Sequence, residues 1–155
     1  MSDKTFYLIA HNIRSLYNVG SIFRIADSFR VSKIYLTGYS GTPHNVRLRK
    51  TALGAEQNVP WEYSRQVKRL IHTLKQKKIT IVGLENNISG TTLLNKFRPR
   101  FPLALLLGEE IAGIQKPLLR LCDSVVEIPM HGEKESLNVA VACGIACYHI
   151  RTEAG

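Results

Sequence analysis

Apolar residues along this chain switch between two periods, and the switches divide it into alternating strands and helices. Phe6 to Ala10 is an unbroken apolar run of strand length. Val19, Ile22, Phe23, Ala26 and Phe29 then recur at helical spacing, with Asn18 placed to cap the helix they define. Lys33 to Gly38 reads as a second strand. Gly38, Gly41 and Pro43 open a polar, basic loop running through His44, Arg47, Arg49 and Lys50. Ser64 can cap the next helix, where Val67, Leu70, Ile71 and Leu74 fall at i, i+3, i+4 and i+7. Its other faces carry Arg65, Lys68, Arg69, Lys75, Lys77 and Lys78. Ile79 to Leu84 follows as a strand, Asn86 to Gly90 as a loop and Thr91 to Phe97 as a short helix. Pro102 to Leu107 is continuously apolar, as a central strand covered on both faces should be. Ile114 to Cys122 reads as helix, Ser124 to Ile128 as strand and Ser136 to Ile150 as an apolar helix.

Strands alternating with helices predict an α/β fold, a mostly parallel sheet flanked by helices. No repeat, low-complexity tract or linker interrupts residues 1–155, so a single domain is expected. Ligands of such sheets gather beyond the carboxyl ends of the strands. Three segments directly follow predicted strands and are thereby singled out: His11 to Asn18, Gly108 to Gly113, and Pro129 to Ser136.

Charge adds a partner class. The formal net charge is +9, and it is uneven. Residues 44–100 hold twelve Lys/Arg against three acids, Glu56, Glu62 and Glu85, whereas residues 101–155 hold four bases against seven acids. A basic middle points to a polyanion, because phosphate neutralisation supplies most non-specific nucleic-acid affinity; a merely solvated basic surface is the other reading. No apolar run reaches membrane-spanning length, and Met1 to Lys4 lacks the pattern of a signal peptide, so a cytoplasmic protein is expected. Cys122, Cys143 and Cys147 have neither CxxC nor zinc spacing and read as reduced core cysteines; no metal is implied.

The three segments carry distinct chemistry. In the first, Asn12 and Asn18 offer donors and acceptors, Gly20 allows close backbone approach, and Arg24 projects from the second turn of the helix. Taken alone, Asn18 could equally be a simple cap and Arg24 a solvated helix residue. The second, Gly108-Glu109-Glu110-Ile111-Ala112-Gly113, matches half of a P-loop but continues Ile114-Gln115 where Lys and Ser/Thr are needed. Its carboxylates exclude a triphosphate and suit a ligand bearing positive charge; a helix start with favourable acids is the alternative. In the third, Ser136 is a good N-cap, and Asn138, one turn in, needs a hydrogen-bond partner. A dinucleotide-binding enzyme is excluded, since His11 to Arg24 has no G-x-G-x-x-G.

Together the segments resemble the signature motifs of the SpoU/TrmH group of SPOUT methyltransferases: N-x-R-S-x-x-N-x-G-x-I-x-R, then G-x-E-x-x-G-I after an apolar strand, then I-P-M-x-G-x₃-S-L-N-V. Gly38 to Pro43 and Lys50 to Glu56 look like the same group, and the likeness covers essentially the whole chain. The resemblance implies a deep trefoil knot in the last third, an exception to unknotted topology. It implies S-adenosylmethionine held in the knot against Gly108, Ile128 and Leu137, with Met130 and the Ser136 region completing the pocket. It also implies a homodimer whose active site borrows from both subunits, and transfer of a methyl group to a ribose 2′-hydroxyl of tRNA or rRNA. Arg24 would then lie beside that hydroxyl, with Asn18, Glu110, Ser136 and Asn138 organising the pocket. Asn12, Arg14, Arg47, Arg49, Lys50, Arg65, Lys68 and Arg69 are the candidate RNA contacts. Many relatives carry an additional N-terminal RNA-binding domain or flanking helices, whereas this sequence starts at the first strand. Recognition would then rest on the basic middle, the dimer surface or a helper protein. Base methylation and non-catalytic RNA binding are the rival functions.

Overall fold

The computed structural model describes residues 4–154. The Met1–Asp3 segment, read above as free of a signal pattern, lies outside the described residues. Seven strands form one sheet: β1 (Phe6–His11), β2 (Lys33–Thr37), β3 (Trp61–Ser64), β4 (Thr80–Leu84), β5 (Thr92–Leu93), β6 (Leu103–Leu107) and β7 (Ser124–Glu127). Their order is β3-β2-β1-β6-β4-β7-β5, and every strand pairing among the described residues is parallel. The helices are α1 (Leu16–Ser28), α2 (Val46–Ala52), α3 (Ala55–Asn58), α4 (Val67–Gln76), α5 (Lys116–Leu119) and α6 (Val139–Glu153), with a 3₁₀ turn at Leu94–Lys96.

Strand residues alternate between two cores, as the two-residue period of a strand requires. Leu8, Ala10, Ile34, Leu36, Val82 and Leu105 face α1, α2 and α6. Ile9, Tyr35, Ile81, Ala104 and Leu106 face α4 and α5. β6 is buried along its whole length between β1 and β4, which explains its unbroken apolar sequence. α1 and α2 meet at Gly20, where an added Cβ would lie 2.7 Å from the Leu48 carbonyl oxygen; the close approach read from this glycine is to a neighbouring helix. At the far end of α6 the half-buried Arg151 donates to the carbonyls of Phe29, Lys4 and Arg30, fastening that helix to β1 and α1. Cys143 and Cys147 are fully buried, free thiols 3.9 Å apart.

Several expected boundaries move. Ser15, not Asn18, caps α1: its Oγ accepts from the Asn18 N–H at 3.1 Å, so Asn18 lies inside the first turn. The basic loop is partly helical, because Asn45 caps α2 and Leu48 and Ala52 bury one face of it. Ser64 pairs with Thr37 at the end of β3, an edge strand the sequence reading missed, and α4 starts after Gln66. Only Lys116–Leu119 is helical within Ile114 to Cys122. Thr91 to Phe97 contains a two-residue strand and the 3₁₀ turn. α6 begins three residues later than expected, and its cap is Asn138 instead of Ser136.

Candidate functional site

Beyond the carboxyl ends of β4, β6 and β7 lies a cleft of ≈ 480 Å³, lined by residues 84–88, 107–116, Ile128, 135–137, Leu119, Val139 and Ala142. That volume falls in the range of roughly 300–1,000 Å³ usual for small-molecule sites. Gly108 sits at its base. A Cβ there would come within 2.5–2.7 Å of the Gly113 and Ile114 backbone, so the loop 108–114 folds back on itself only over a glycine. Two residues after β4, passed over in the sequence reading, hold the walls. Glu85 accepts from the Ile114 N–H at 2.6 Å and from the Asn86 N–H at 3.1 Å. Asn86 grips Ile128 in both directions, donating to its carbonyl at 2.8 Å and accepting from its N–H at 3.2 Å. The signal that could have found them is the rule applied to the other three segments: the Asn86 to Gly90 loop also follows a parallel strand.

Glu110 joins the segments to one another. Its Oε1 accepts from the Ser15 N–H at 3.1 Å and from the Asn18 Nδ2 at 3.2 Å; its Oε2 accepts from the Arg14 N–H at 3.2 Å. Asn18 Oδ1 in turn accepts from Asn138 Nδ2 at 3.1 Å, while Asn138 Oδ1 caps α6 by accepting from the Ala140 and Val141 N–H groups. Asn138 is therefore the helix cap and the third member of a Glu110–Asn18–Asn138 chain, which supplies the partner its sequence position demanded. Burial pushes the Glu110 carboxyl up, but the hydrogen bonds from the Ser15 backbone, its own backbone, Asn18 and Arg14 outweigh that and leave it below the usual carboxylate range.

The sign of the resulting linkage is fixed. A depressed folded-state value means stabilisation present in full above the ordinary carboxylate range and lost as pH falls through the lower folded value. Glu110→Gln is expected to cost about 1–3 kcal/mol at neutral pH, because the two backbone donors lose a charged acceptor that is partly open to water. The wild type should then lose this advantage as pH falls from the ordinary carboxylate range to below it. Urea unfolding of both proteins across that interval checks it; parallel pH profiles would contradict the assignment.

The remaining candidates separate. Gly108, Glu110, Ile128, Ser136 and Leu137 all line the cleft, whereas Met130 is outside its lining. Arg24 is exposed on α1 and is likewise outside the cleft lining. It shares a helix face with Tyr17 and Ser21, at i+7 and i+3 from them. Asn12 adopts a positive φ of 54°, and its Oδ1 accepts from the Tyr39 N–H at 3.0 Å, shaping the turn after β1. Arg14 is exposed and lies over the Tyr39 ring. Arg47, Arg49 and Lys50 are exposed on α2, and Arg65, Lys68 and Arg69 on α4 and its lead-in. These two helices pack on opposite faces of the sheet, which splits the basic middle into two patches. Among the described residues no group of three or more His, Cys, Asp or Glu could hold a metal ion.

Comparison with known proteins agrees with this arrangement. Residues 5–148 match the model of the SpoU rRNA Methylase family. The chain is 32% identical over 146 residues to the 23S rRNA (guanosine-2′-O-)-methyltransferase RlmB of Escherichia coli (strain K12), covering 94% of this chain and 59% of that protein. It is 30% identical to the protein of the same name from Coxiella burnetii, covering 94% and 58%. The chain thus spans less than two thirds of the length of these relatives. An AdoMet-bound rRNA methyltransferase from Sinorhizobium meliloti superposes with a TM-score of 0.88 at 24% identity, covering 97% of this chain and 57% of that one. The A. aeolicus TrmH/SpoU tRNA modifying enzyme superposes with a TM-score of 0.87 at 23% identity, covering 97% and 76%. At these identities the superpositions speak for the fold. The sequence match across nearly the whole chain goes further: it belongs to the SpoU rRNA methylase family.

Proposed function

We propose that the chain transfers a methyl group from S-adenosylmethionine to a ribose 2′-hydroxyl of RNA. The observation that carries this reading is the Glu110–Asn18–Asn138 chain, which ties the three motif segments together beside the cleft. The names of the relatives, RNA 2′-O-methyltransferases, point the same way. S-adenosylmethionine suits the residues present: apolar Leu107, Ile114, Ile128 and Leu137 for a nucleobase, close backbone around Gly108, and the negative charge of Glu85, Glu109 and Glu110 for a cation. Bound there, it supplies a methyl group on positively charged sulfur, open to attack by an oxygen in line with the carbon–sulfur bond.

The chain's own residues then have distinct tasks. Gly108, Ile128 and Leu137 hold the donor, Glu85 and Asn86 fix the walls, and Asn138 and Asn18 set the start of α6 against α1. A guanidinium offers N–H donors and no acceptor, so the role of proton acceptor does not fall to Arg24. It instead grips the target nucleotide and offsets charge as the alkoxide develops, while the proton passes to water or a phosphate oxygen. Because Arg24 lies outside the cleft of its own chain, a homodimer would supply it from the second subunit. Val141, Ile145 and Tyr148 support that dimer: they are exposed at i, i+4 and i+7 on α6, which packs against α1, where Tyr17 is also exposed. The trefoil knot belongs to the same reading. It is supported by the 128–138 segment passing against the 86–87 loop, through Asn86–Ile128 and Asn87–Glu135 hydrogen bonds, before α6 returns to α1. No helix among the described residues is long and apolar enough to cross a membrane, and the cytoplasm, where such RNA is found, is the proposed location.

Transfer of labelled methyl groups into tRNA and rRNA from a strain lacking the gene tests the reaction. A 2′-O-methyl blocks alkaline cleavage at its nucleotide, so the label should appear in alkali-resistant dinucleotides. Label in mononucleotides would mean base methylation; no label with intact RNA binding would mean a non-catalytic RNA-binding protein. In parallel, Arg47/Arg49/Lys50 and Arg65/Lys68/Arg69 should be neutralised separately. The patch that touches phosphate should lower the log-affinity against log-salt slope by a little under about one unit per lost contact. Unchanged slopes in both variants would move the RNA surface elsewhere.

A further inference from the structure

The ends of β1, β2 and β3 carry an aromatic and cationic cluster that methyl transfer as described leaves unused. Tyr39 and Tyr63 are 51% and 46% exposed. Both are nevertheless fastened. The Tyr39 hydroxyl donates to Glu109 Oε2 at 3.0 Å, and its backbone N–H donates to Asn12 Oδ1 at 3.0 Å. The Tyr63 hydroxyl donates to the Gly38 carbonyl at 2.6 Å, so it reaches the residue next to Tyr39. Arg14 lies with its guanidinium carbon 5.4 Å from the Tyr39 ring centroid, yet its side chain remains 71% exposed. Glu109, which anchors Tyr39, also lines the cleft, so the cluster shares a wall with the candidate active site.

Rings anchored through their hydroxyls have already lost rotational freedom on folding, which lowers the cost of binding a flat partner. Their immediate partners are a carboxylate, an amide, a backbone carbonyl and a guanidinium. An apolar protein surface would strip water from the 71% exposed Arg14 side chain and offer its charge nothing in return. A nucleobase offsets that loss, because it has π faces for the rings and guanidinium and polar edges for the rest. We propose that Arg14, Tyr39 and Tyr63 form a stacking platform for an unpaired nucleobase of the substrate RNA, next to the nucleotide whose ribose enters the cleft. This rests on the RNA reading above and adds to it the kind of RNA: a single-stranded loop, bulge or end.

The test uses the full chain and a single-stranded oligouridine carrying one 2-aminopurine, whose fluorescence is quenched on stacking, titrated over a potassium chloride series. The wild type should bind with quenching. Tyr39→Ala and Tyr63→Ala should weaken binding about five- to hundredfold and lose quenching. Their salt slope should not change, since no phosphate contact is removed. Tyr39→Phe drops the Glu109 hydrogen bond but keeps the ring, and should lose only part of the affinity that Tyr39→Ala loses while still quenching the probe. S-adenosylhomocysteine affinity, measured by calorimetry, should be the same for all four proteins and reports an intact cleft. Alanine variants that bind and quench like a binding-competent wild type would overturn the platform, as would a Tyr39→Phe defect equal to that of Tyr39→Ala. A wild type that binds neither this oligomer nor natural RNA would instead overturn the RNA reading beneath it.

Discussion

Gly108→Leu is expected to weaken S-adenosylmethionine and S-adenosylhomocysteine binding by roughly a hundredfold or more. The reason lies in the loop before it concerns the ligand. Even the first carbon of a side chain at 108 would fall 2.5–2.7 Å from the Gly113 and Ile114 backbone, and rigid backbone cannot yield as a flexible side chain does. The Ile114 N–H is also held by Glu85 at 2.6 Å, so relieving the clash strains a second contact of the cleft wall. Calorimetry with both ligands measures the loss, and Gly108→Ala should show a smaller version of it. Wild-type affinity in the leucine variant would place the donor somewhere else.

Arg24→Ala should behave in the opposite way: donor affinity retained, methyl transfer reduced by roughly 10²–10³-fold. If Arg24 reaches the cleft from the second subunit of a homodimer, as proposed, the two variants should also complement each other. Mixing Gly108→Leu with Arg24→Ala subunits, after dissociation and reassembly, gives mixed dimers with one site built from an intact cleft and an intact Arg24. Random pairing should restore about a quarter of wild-type activity, half of the dimers being mixed and each having one working site. Single-turnover transfer from labelled donor reads both effects. Recovery absent from a mixture shown to contain mixed dimers would confine each site to one chain, and near-wild-type transfer by Arg24→Ala alone would remove it from the chemistry.

The strand–helix alternation was legible because β1 and β6 are unbroken apolar runs of strand length and α4 has one clear helical period. Leu103 to Leu107 is buried throughout, and α4 buries only Val67, Leu70, Ile71 and Leu74. β3 escaped because an edge strand of four residues, two of them exposed, has too little apolar pattern to separate from a loop. α2 escaped because its buried face consists of Leu48 and Ala52 alone amid basic residues. At the site, Gly108, Ile128 and Leu137 were readable from their motifs and do line the cleft. Asn138 was readable as a polar residue in apolar surroundings and Asn18 as a helix cap able to donate and accept, but their shared hydrogen bond was not, because it joins positions 120 residues apart. Ser136 was mistaken for the cap of α6 because serine and asparagine satisfy a helix start equally well, and only geometry chooses between them.

That separation in sequence also sets an order of events on the ribosome. Glu110 meets Asn18 across 92 residues, and Asn138 meets Asn18 across 120. Loop-closure entropy must be overcome before contacts so distant stabilise anything, so such pairings form late. A growing chain can register β1 beside β2 early, yet β1 keeps one edge open until Leu103–Leu107 emerges to cover it. Through that interval the nascent protein presents the open edge of an apolar strand and an unfinished cleft. The Glu110–Asn18–Asn138 chain can close only after Asn138 has emerged and α6 has wound behind it.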